Sequence, residues 1–233
     1  VHRGSGLTDP SRASKLRAMS TAAPTKRSSA PSSSSSSSPY TPQILGVLNV
    51  SPESMVTESI AIGVAAVRER AAMLVGTGAD WIDLGGRSIT PDAPTIDDAT
   101  EQARLFAALA ALRSTEAGAR PGASPGSGAP AAYRVSIDTW SAETGEAALA
   151  RGADAVNYTG GPLPSSLLDA VARCSALLFV TYMPYANAYA MRSAKPAAVG
   201  IDAVLDHLGP KVEAARRAGI ERLVVDPNVG IIH

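Results

Sequence analysis

The segment Gly-Ala-Asp-Trp-Ile-Asp-Leu-Gly-Gly at residues 78–86 joins a helix to a buried strand. Apolar residues recur at helical spacing from Ile60 to Thr77, and Gly78 is the residue type that commonly ends such a helix. The apolar run that follows is typical of a strand buried on both faces, and a glycine pair ends it. The same order of glycine, alanine, aspartate and short strand returns at residues 152–157, so the segment is one connection of a repeating unit.

The repeating unit extends along most of the chain. We predict helices at residues 60–77, 95–113, 142–150, 165–173 and 201–218. We predict strands at residues 44–48, 81–84, 133–137, 155–157, 176–181 and 223–225. Strands that alternate with helices predict a parallel sheet of βα units, and both a doubly wound sheet and a (β/α)₈ barrel fit that pattern.

Polar residues directly after the strands favour the barrel. They include Asn49, the 85–88 segment, Asp138, Asn157 and Asp226. The carboxyl ends of barrel strands meet at one mouth, where active sites lie, whereas an open sheet brings them together only at its switch point. The expected fold class is therefore α/β, a TIM (β/α)₈ barrel with about six of its eight strands in this chain.

The two ends of the chain differ in composition. Residues 1–42 form a leader rich in serine and arginine, with an unbroken serine run at residues 32–38, and we expect disorder there. The barrel occupies residues 43–233, with a flexible insertion at 114–132. We expect a cytoplasmic protein, and the arginine-rich, acid-poor leader leaves an organellar transit peptide as the alternative.

Bulk composition excludes several kinds of partner. Lys+Arg and Asp+Glu both number 21 and aromatic residues are 4 %, so neither a nucleic-acid surface nor a base-stacking platform is expected. No apolar run is long enough to span a membrane. Cys174 is the only cysteine, which excludes an internal disulfide, and we expect it to be a small buried residue. His207 lies on a charged helix face and is expected to be solvated.

Four collinear segments resemble the signatures of the dihydropteroate synthase family, which belongs to the pterin-binding superfamily. Residues 45–54 resemble its Gly-(Ile/Val)-Leu-Asn-Val-Thr-Pro-Asp-Ser signature, and residues 78–86 resemble Gly-Ala-Asp-Ile-Ile-Asp-Ile-Gly-Gly. Residues 135–139 match the third signature, and residues 152–157 follow at the family's spacing. Residues 225–230 resemble Asp-Pro-Gly-Ile-Gly-Phe.

The resemblance implies a transferase of folate biosynthesis. It would condense 6-hydroxymethyl-7,8-dihydropterin pyrophosphate with p-aminobenzoate to give dihydropteroate and pyrophosphate, with no covalent enzyme nucleophile. By resemblance, Asp138, Asn157 and Asp226 bind the pterin edge, and Asn49 holds Mg²⁺ beside the pyrophosphate. Asp83 follows the same pattern, and both a structural and a functional role are open for it. A homodimer is one assembly that the resemblance implies.

The second loop departs from the family. The family's Glu-Ser-Thr-Arg-Pro becomes Arg87-Ser88-Ile89-Thr90-Pro91, so the Thr-Arg pair near pyrophosphate is lost. Arg87, three positions earlier, is a candidate to restore the cation, and we assign Arg87, Ser88 and Thr90 to the pyrophosphate side. The altered loop leaves two alternatives open. They are a methyltransferase of the same superfamily that uses methyltetrahydrofolate, and a non-catalytic pterin-binding paralogue.

The sequence stops soon after the last signature. In the family, a sixth-loop lysine against the pterin and a late Arg-x-His against the pyrophosphate follow the Asp-Pro pair, whereas this sequence begins at Val1 and ends at His233. Six strands alone would leave open sheet edges, which promote aggregation. We therefore expect a truncated gene product or an incomplete chain that is not active as it stands.

Overall fold

The computed structural model describes residues 42–114, 133–194 and 199–229. The predicted leader and the predicted insertion lie outside these residues, apart from Pro42 and Ser114. The strands are β1 (Leu45–Asn49), β2 (Trp81–Gly85), β3 (Arg134–Thr139), β4 (Ala155–Tyr158), β5 (Leu177–Thr181) and β6 (Leu223–Asp226). The α-helices are α1 (Val64–Gly76), α2 (Asp98–Arg113), α3 (Ala142–Leu149), α4 (Ser165–Cys174), α5 (Ala188–Arg192) and α6 (Ile201–Arg217).

The order of the strands in the sheet decides between the two predicted architectures. All neighbouring strands are parallel, and their spatial order is the chain order, β1-β2-β3-β4-β5-β6. A doubly wound sheet reverses its strand order at a switch point, whereas a barrel adds each strand beside the previous one. The sequential order therefore confirms the predicted α/β barrel architecture.

Helix α1 begins later than the sequence predicted. Ile60 pairs with Asn49 in an isolated parallel bridge, and the Ala61 N–H donates to the Asn49 carbonyl at 2.9 Å. Gly63 has a φ of 88°, so the helix starts at Val64. The apolar residues at 60–62 thus extend the sheet instead of opening the helix. The short helix α5 was not predicted, because five residues hold little helical periodicity.

The core lies between the helices and the outer face of the sheet. Residues 48, 82, 135, 156 and 178, one from each of the first five strands, are fully buried. Helix α2 contributes the largest apolar stripe, which includes Leu105, Leu109 and Leu112. The opposite face of the sheet carries the alternate residues and is more open, since Val47 is 44 % and Val224 is 39 % exposed.

The aspartates of the two Gly-Ala-Asp connections have matching structural roles. The Asp80 carboxylate accepts the Ile44 N–H at 2.8 Å, just before β1. The Asp154 carboxylate accepts the Val135 N–H at 2.7 Å, at the start of β3. In both cases an aspartate before one strand binds the amino end of the preceding strand, so the recurrent sequence aligns neighbouring strands.

The prediction that Cys174 is a buried residue was wrong. Cys174 is exposed rather than buried, because it ends α4 on the solvent side.

Among the helices of the described residues, none combines the length and the apolar character that crossing a bilayer requires.

The fold predicts a large loss of stability for Leu105→Ala. Leu105 is fully buried in the α2 stripe, so truncation should lower the free energy of unfolding by about 2–5 kcal/mol. Leu205→Ala on α6 is the matched control, because Leu205 is 59 % exposed and should change stability by less than about 0.5 kcal/mol. Urea denaturation of both variants tests this, and equal losses would contradict the assigned core.

Candidate functional site

Four polar or small residues form a row across neighbouring strands. The parallel register aligns Asn49 of β1 with Gly85 of β2, Gly85 with Asp138 of β3, and Asp138 with Asn157 of β4. Register partners in a parallel sheet present their side chains on the same face. Three predicted site residues therefore lie side by side at the carboxyl ends of the strands.

A cavity of about 220 Å³ opens at these strand ends. It contains four of the predicted site residues, namely Arg87, Asp138, Asn157 and Asp226. Among the described residues, those that line it are Arg87, Ile89, Glu101, Asp138, Trp140, Asn157, Thr159, Thr181, Met183, Ala188, Met191, Asp226 and Asn228. Carboxylates and amides on one part of the wall and methionines on another can hold a flat molecule with a polar edge.

Two hydroxyl groups orient the Asn49 side chain, and Gly85, which has no side chain, leaves room for it. Its amide nitrogen donates to the Ser59 hydroxyl at 2.7 Å and to the Ser54 hydroxyl at 3.3 Å. A Cβ added at Gly85 would lie 2.5 Å from Asn49 Oδ1, which no real contact tolerates. The glycine therefore makes room for the Asn49 oxygen beside Asp138, and that oxygen is left as an acceptor.

Asp83 and Asp138 form a pair of neighbouring carboxylates under the cavity. Burial raises the pKa of Asp138 to about 8, and the charge of Asp83 adds to the rise. Burial also raises the pKa of Asp83, against the opposite effect of the nearby Ser136 hydroxyl and of the hydrogen bond from Asn157. Asp138 therefore takes up a proton at a higher pH than an ordinary aspartate, and its protonated form can donate as well as accept a hydrogen bond.

One hydrogen bond from a threonine and one from an asparagine hold these two carboxylates in place. The Thr159 hydroxyl donates to Asp138 Oδ1 at 3.0 Å, and Asn157 Nδ2 donates to Asp83 Oδ2 at 3.1 Å. Asp83 Oδ1 is buried and has no hydrogen-bond partner within the described part of the chain. Asn157 therefore uses its amide nitrogen inside the protein, and its oxygen is available to a ligand.

Asp226 ends β6 at the opposite side of the cavity. Its Oδ1 accepts the Asn228 N–H at 2.7 Å, which closes a tight turn over Pro227. Asn228 has a φ of 57°, in the left-handed region, where the family signature has glycine. Asparagine is one of the few other residues that adopt this conformation readily, so the turn survives the substitution.

Arg87 is buried in an ion-pair network. Its guanidinium bonds to the Asp98 carboxylate and, at 3.0 Å, to Glu101 Oε2, and its side chain is only 5 % exposed. The guanidinium carbon also lies 4.7 Å from the centre of the Trp140 ring. Arg87 thus lines the cavity, but two carboxylates already balance its charge.

Ser88 and Thr90 do not line the cavity. The Ser88 and Thr90 hydroxyl oxygens lie 2.8 and 3.1 Å from the Glu53 carbonyl oxygen and 2.7 Å from each other, within hydrogen-bond distance. The Glu53 carboxylate in turn pairs with Arg104 of α2 at 3.0 Å. In this structure the two residues join the loop after β2 to the loop after β1.

Several lining residues were not singled out from the sequence. Thr181 ends β5, so the rule that polar residues follow strands could have found it. Trp140 follows β3 directly, and its ring lies 4.8 Å from that of Tyr189 in an edge-to-face contact. Glu101 is fully buried on α2 and accepts hydrogen bonds from Thr139 and Thr144, a role that helical spacing alone does not indicate.

Comparison with known proteins agrees with this geometry. Residues 45–233 match the family of pterin-binding enzymes. The chain is 28 % identical over 190 residues to the inactive dihydropteroate synthase 2 of Mycobacterium tuberculosis, covering 79 % of the chain and 55 % of that protein. It is 30 % identical over 189 residues to the type-2 dihydropteroate synthase of Escherichia coli, covering 80 % of the chain and 64 % of that protein.

A solved structure shows the same fold. Burkholderia cenocepacia dihydropteroate synthase, complexed with 7,8-dihydropteroate, aligns with a TM-score of 0.61 and 28 % identity over 82 % of this chain and 59 % of that one. The chain thus spans less than two thirds of the length of these three relatives. Since the family match covers most of the sequence and the sheet order agrees, the chain belongs to the family of pterin-binding enzymes that includes the dihydropteroate synthases.

Proposed function

We propose that this chain binds a dihydropterin in the cavity at its strand ends. We further propose that the protein is a dihydropteroate synthase-like transferase that condenses 6-hydroxymethyl-7,8-dihydropterin pyrophosphate with p-aminobenzoate in folate biosynthesis. The observation that carries the proposal is the meeting of Asp138, Asn157 and Asp226 in one cavity. The bound 7,8-dihydropteroate of the Burkholderia enzyme, which joins a pterin to aminobenzoate, supports the same ligand class.

The chemistry of the cavity suits a pterin edge. A pterin ring presents amide and amine donors beside ring-nitrogen acceptors, and the carboxyl groups of Asp138 and Asp226 can match them. The Asn157 oxygen adds an acceptor, since its nitrogen is held by Asp83. Met183 and Met191 supply soft apolar surface for the ring faces. A site of this kind rejects rings that lack the polar edge, because its own groups would stay unpaired.

Asn49 would hold Mg²⁺ together with the substrate pyrophosphate. An oxygen ligand suits this hard cation, and Asn49 Oδ1 is left as an acceptor because Ser54 and Ser59 hold the amide nitrogen. Groups of three or more acidic, histidine or cysteine side chains that could hold a metal are absent from the described residues. A cation held by one side-chain oxygen fits the pattern in which Mg²⁺ keeps waters and binds substrate phosphates.

In the proposed reaction, the aminobenzoate nitrogen forms a bond to the pterin methylene carbon, and the bond between that carbon and the pyrophosphate oxygen breaks. Pyrophosphate leaves with the electron pair, and the amine loses a proton. The chemistry that bound Mg²⁺ supplies is neutralisation of charge on the leaving group. Asp138, Asn157 and Asp226 orient the ring, so catalysis rests on positioning rather than on an enzyme nucleophile.

A non-catalytic pterin-binding protein is the second candidate. Arg87 is the one cation among the described lining residues of the cavity, and Asp98 and Glu101 already balance it. The inactive dihydropteroate synthase 2 relative supports the same view. A site that keeps the pterin contacts but lacks a free cation for pyrophosphate would bind the ring without releasing product.

Binding and turnover of the full chain separate the candidates. We expect 6-hydroxymethyl-7,8-dihydropterin pyrophosphate to bind in calorimetric titration with Mg²⁺ present. Asp138→Asn should weaken binding by about 10- to 100-fold, because it removes a hydrogen-bonding group that can ionise. Asp169→Asn, an exposed change on α4, is the matched control and should leave affinity unchanged.

The outcomes of that experiment are distinct. Dihydropteroate formed when p-aminobenzoate is added supports the transferase, and binding without product supports the non-catalytic candidate. Absence of any pterin binding by the wild-type chain would contradict both. Equal affinity of the wild type and Asp138→Asn would remove Asp138 from the site.

The same substitution should stabilise the protein at alkaline pH. The Asp138 pKa is about 8 in the folded state and about 4 when unfolded, so the folded state binds the extra proton across that window. The wild type therefore loses stability as pH rises from about 4 to about 8. Asp138→Asn has no proton to lose, so we expect its urea midpoint to exceed that of the wild type at pH 8.

The difference between the two midpoints should shrink as the pH falls from 8 to 5. Asp169→Asn again serves as the control, and its midpoint should follow that of the wild type. A variant less stable than the wild type at pH 8 would contradict the buried, protonated state of Asp138.

A further inference from the structure

Helix α6 carries a lysine on its buried face. Lys211 is only 5 % exposed, and its Nζ donates to the main-chain carbonyls of Gly160 and Thr181 at 3.0 and 2.9 Å. Within the described residues no carboxylate pairs with it. An ammonium group buried against neutral carbonyls alone is costly, and burial lowers the pKa of Lys211 to about 8.

The two carbonyls belong to adjacent walls of the cavity. Gly160 follows Thr159, which lines the cavity and hydrogen-bonds to Asp138 at 3.0 Å. Thr181 is the last residue of β5 and lines the cavity directly. The ammonium thus joins the chain just beyond β4 to the end of β5, so one side chain sets the spacing between these two walls.

His207, one turn earlier on α6, contacts the next two residues of the same wall. The Met183 N–H donates to His207 Nε2 at 3.4 Å, and the imidazole lies 5.1 Å from the Tyr182 ring in an edge-to-face contact. The expectation that His207 is solvated was therefore wrong. The acceptor role requires a neutral imidazole, and burial together with the charge of Lys211 lowers the pKa of His207.

The same segment is held from the other side by β6 and the turn after it. The Tyr182 N–H donates to the Asp226 carbonyl at 2.8 Å, and Asn228 Nδ2 donates to the Tyr182 carbonyl at 3.1 Å. Residues 181–183 therefore lie between α6 and the Asp226 turn, and groups on both sides form hydrogen bonds to their main-chain atoms. Met183, which lines the cavity, is placed by these bonds.

We propose that Lys211 and His207 are positioning residues that hold segments 159–161 and 181–183 as the wall of the pterin cavity. The proposal rests on the proposed function for the identity of the ligand. Both side chains bind main-chain atoms, so they fix where the wall lies whatever side chains it carries. A wall held in place before binding raises affinity, because the ligand does not have to order it.

Lys211→Met tests the ammonium directly. Methionine keeps an unbranched chain and removes the donor. In the full chain without ligand, we expect faster amide hydrogen exchange in segments 159–161 and 181–183 but not in β3. We expect affinity for 6-hydroxymethyl-7,8-dihydropterin pyrophosphate to fall by about tenfold or more. Arg217→Met on the exposed side of α6, where the side chain is 72 % exposed, should change neither result.

A pair of His207 variants separates positioning from general packing. Glutamine can present an oxygen acceptor near the place of Nε2, whereas leucine fills similar space without one. We expect His207→Gln to bind the pterin within about twofold of the wild type and His207→Leu to bind several-fold more weakly. Because these changes keep Lys211, they test the proposal even where Lys211→Met fails to fold.

The results distinguish this proposal from the proposed function. Exchange is measured without ligand, so unchanged rates in Lys211→Met overturn the positioning role whatever the binding data show. Equal pterin affinity of His207→Gln and His207→Leu overturns the part assigned to His207. A wild-type chain that leaves the pterin unbound overturns the proposed function, and with it the role of this wall in pterin binding.

Discussion

The register of the parallel sheet is the constraint on which the site depends. The parallel strands pair so that Asn49, Gly85, Asp138 and Asn157 each lie directly beside the next. These residues form one row, although 108 positions separate the first from the last. A shift of one residue in any strand would move its side chain to the face that packs against the helices. The aspartate of each Gly-Ala-Asp connection, which binds the amino end of the preceding strand, keeps this register at the opposite end of the sheet.

Asp138 of this row and Asp83, two positions before Gly85 on β2, bring two acidic groups together, and that arrangement opposes stability. Asp83 and Asp138 lie close together in a buried region, so their pKa values rise and their charged forms are disfavoured. Thr159 and Asn157 offset part of this cost with hydrogen bonds. A ligand with donor groups would offset more of it. Acidic pairs of this kind are typical of sites where binding, rather than folding, selects the residues.

The sequence predicted what depends on periodicity and on strand ends. Helix α2 and the polar residue after each strand follow from local patterns, so the barrel order and four of the residues that line the cavity were predicted. Side-chain direction and long-range contacts could not be predicted from these local patterns. The five-residue helix α5 is too short for a period. His207 contacts Tyr182 and Met183, directly after β5, through the tertiary fold, and nothing in its charged neighbours indicated that contact.

The replacement of the family's glutamate by Arg87 changes the charge on one side of the cavity. Arg87 forms ion pairs with two carboxylates, those of Asp98 and Glu101. Glu101 also accepts hydrogen bonds from Thr139 and Thr144. The charge of Arg87 is therefore balanced before any anion enters, although its Nε is buried without a hydrogen-bond partner among the described residues. In the proposed transferase, the charge on the leaving pyrophosphate would be neutralised by the Mg²⁺ that Asn49 is proposed to hold.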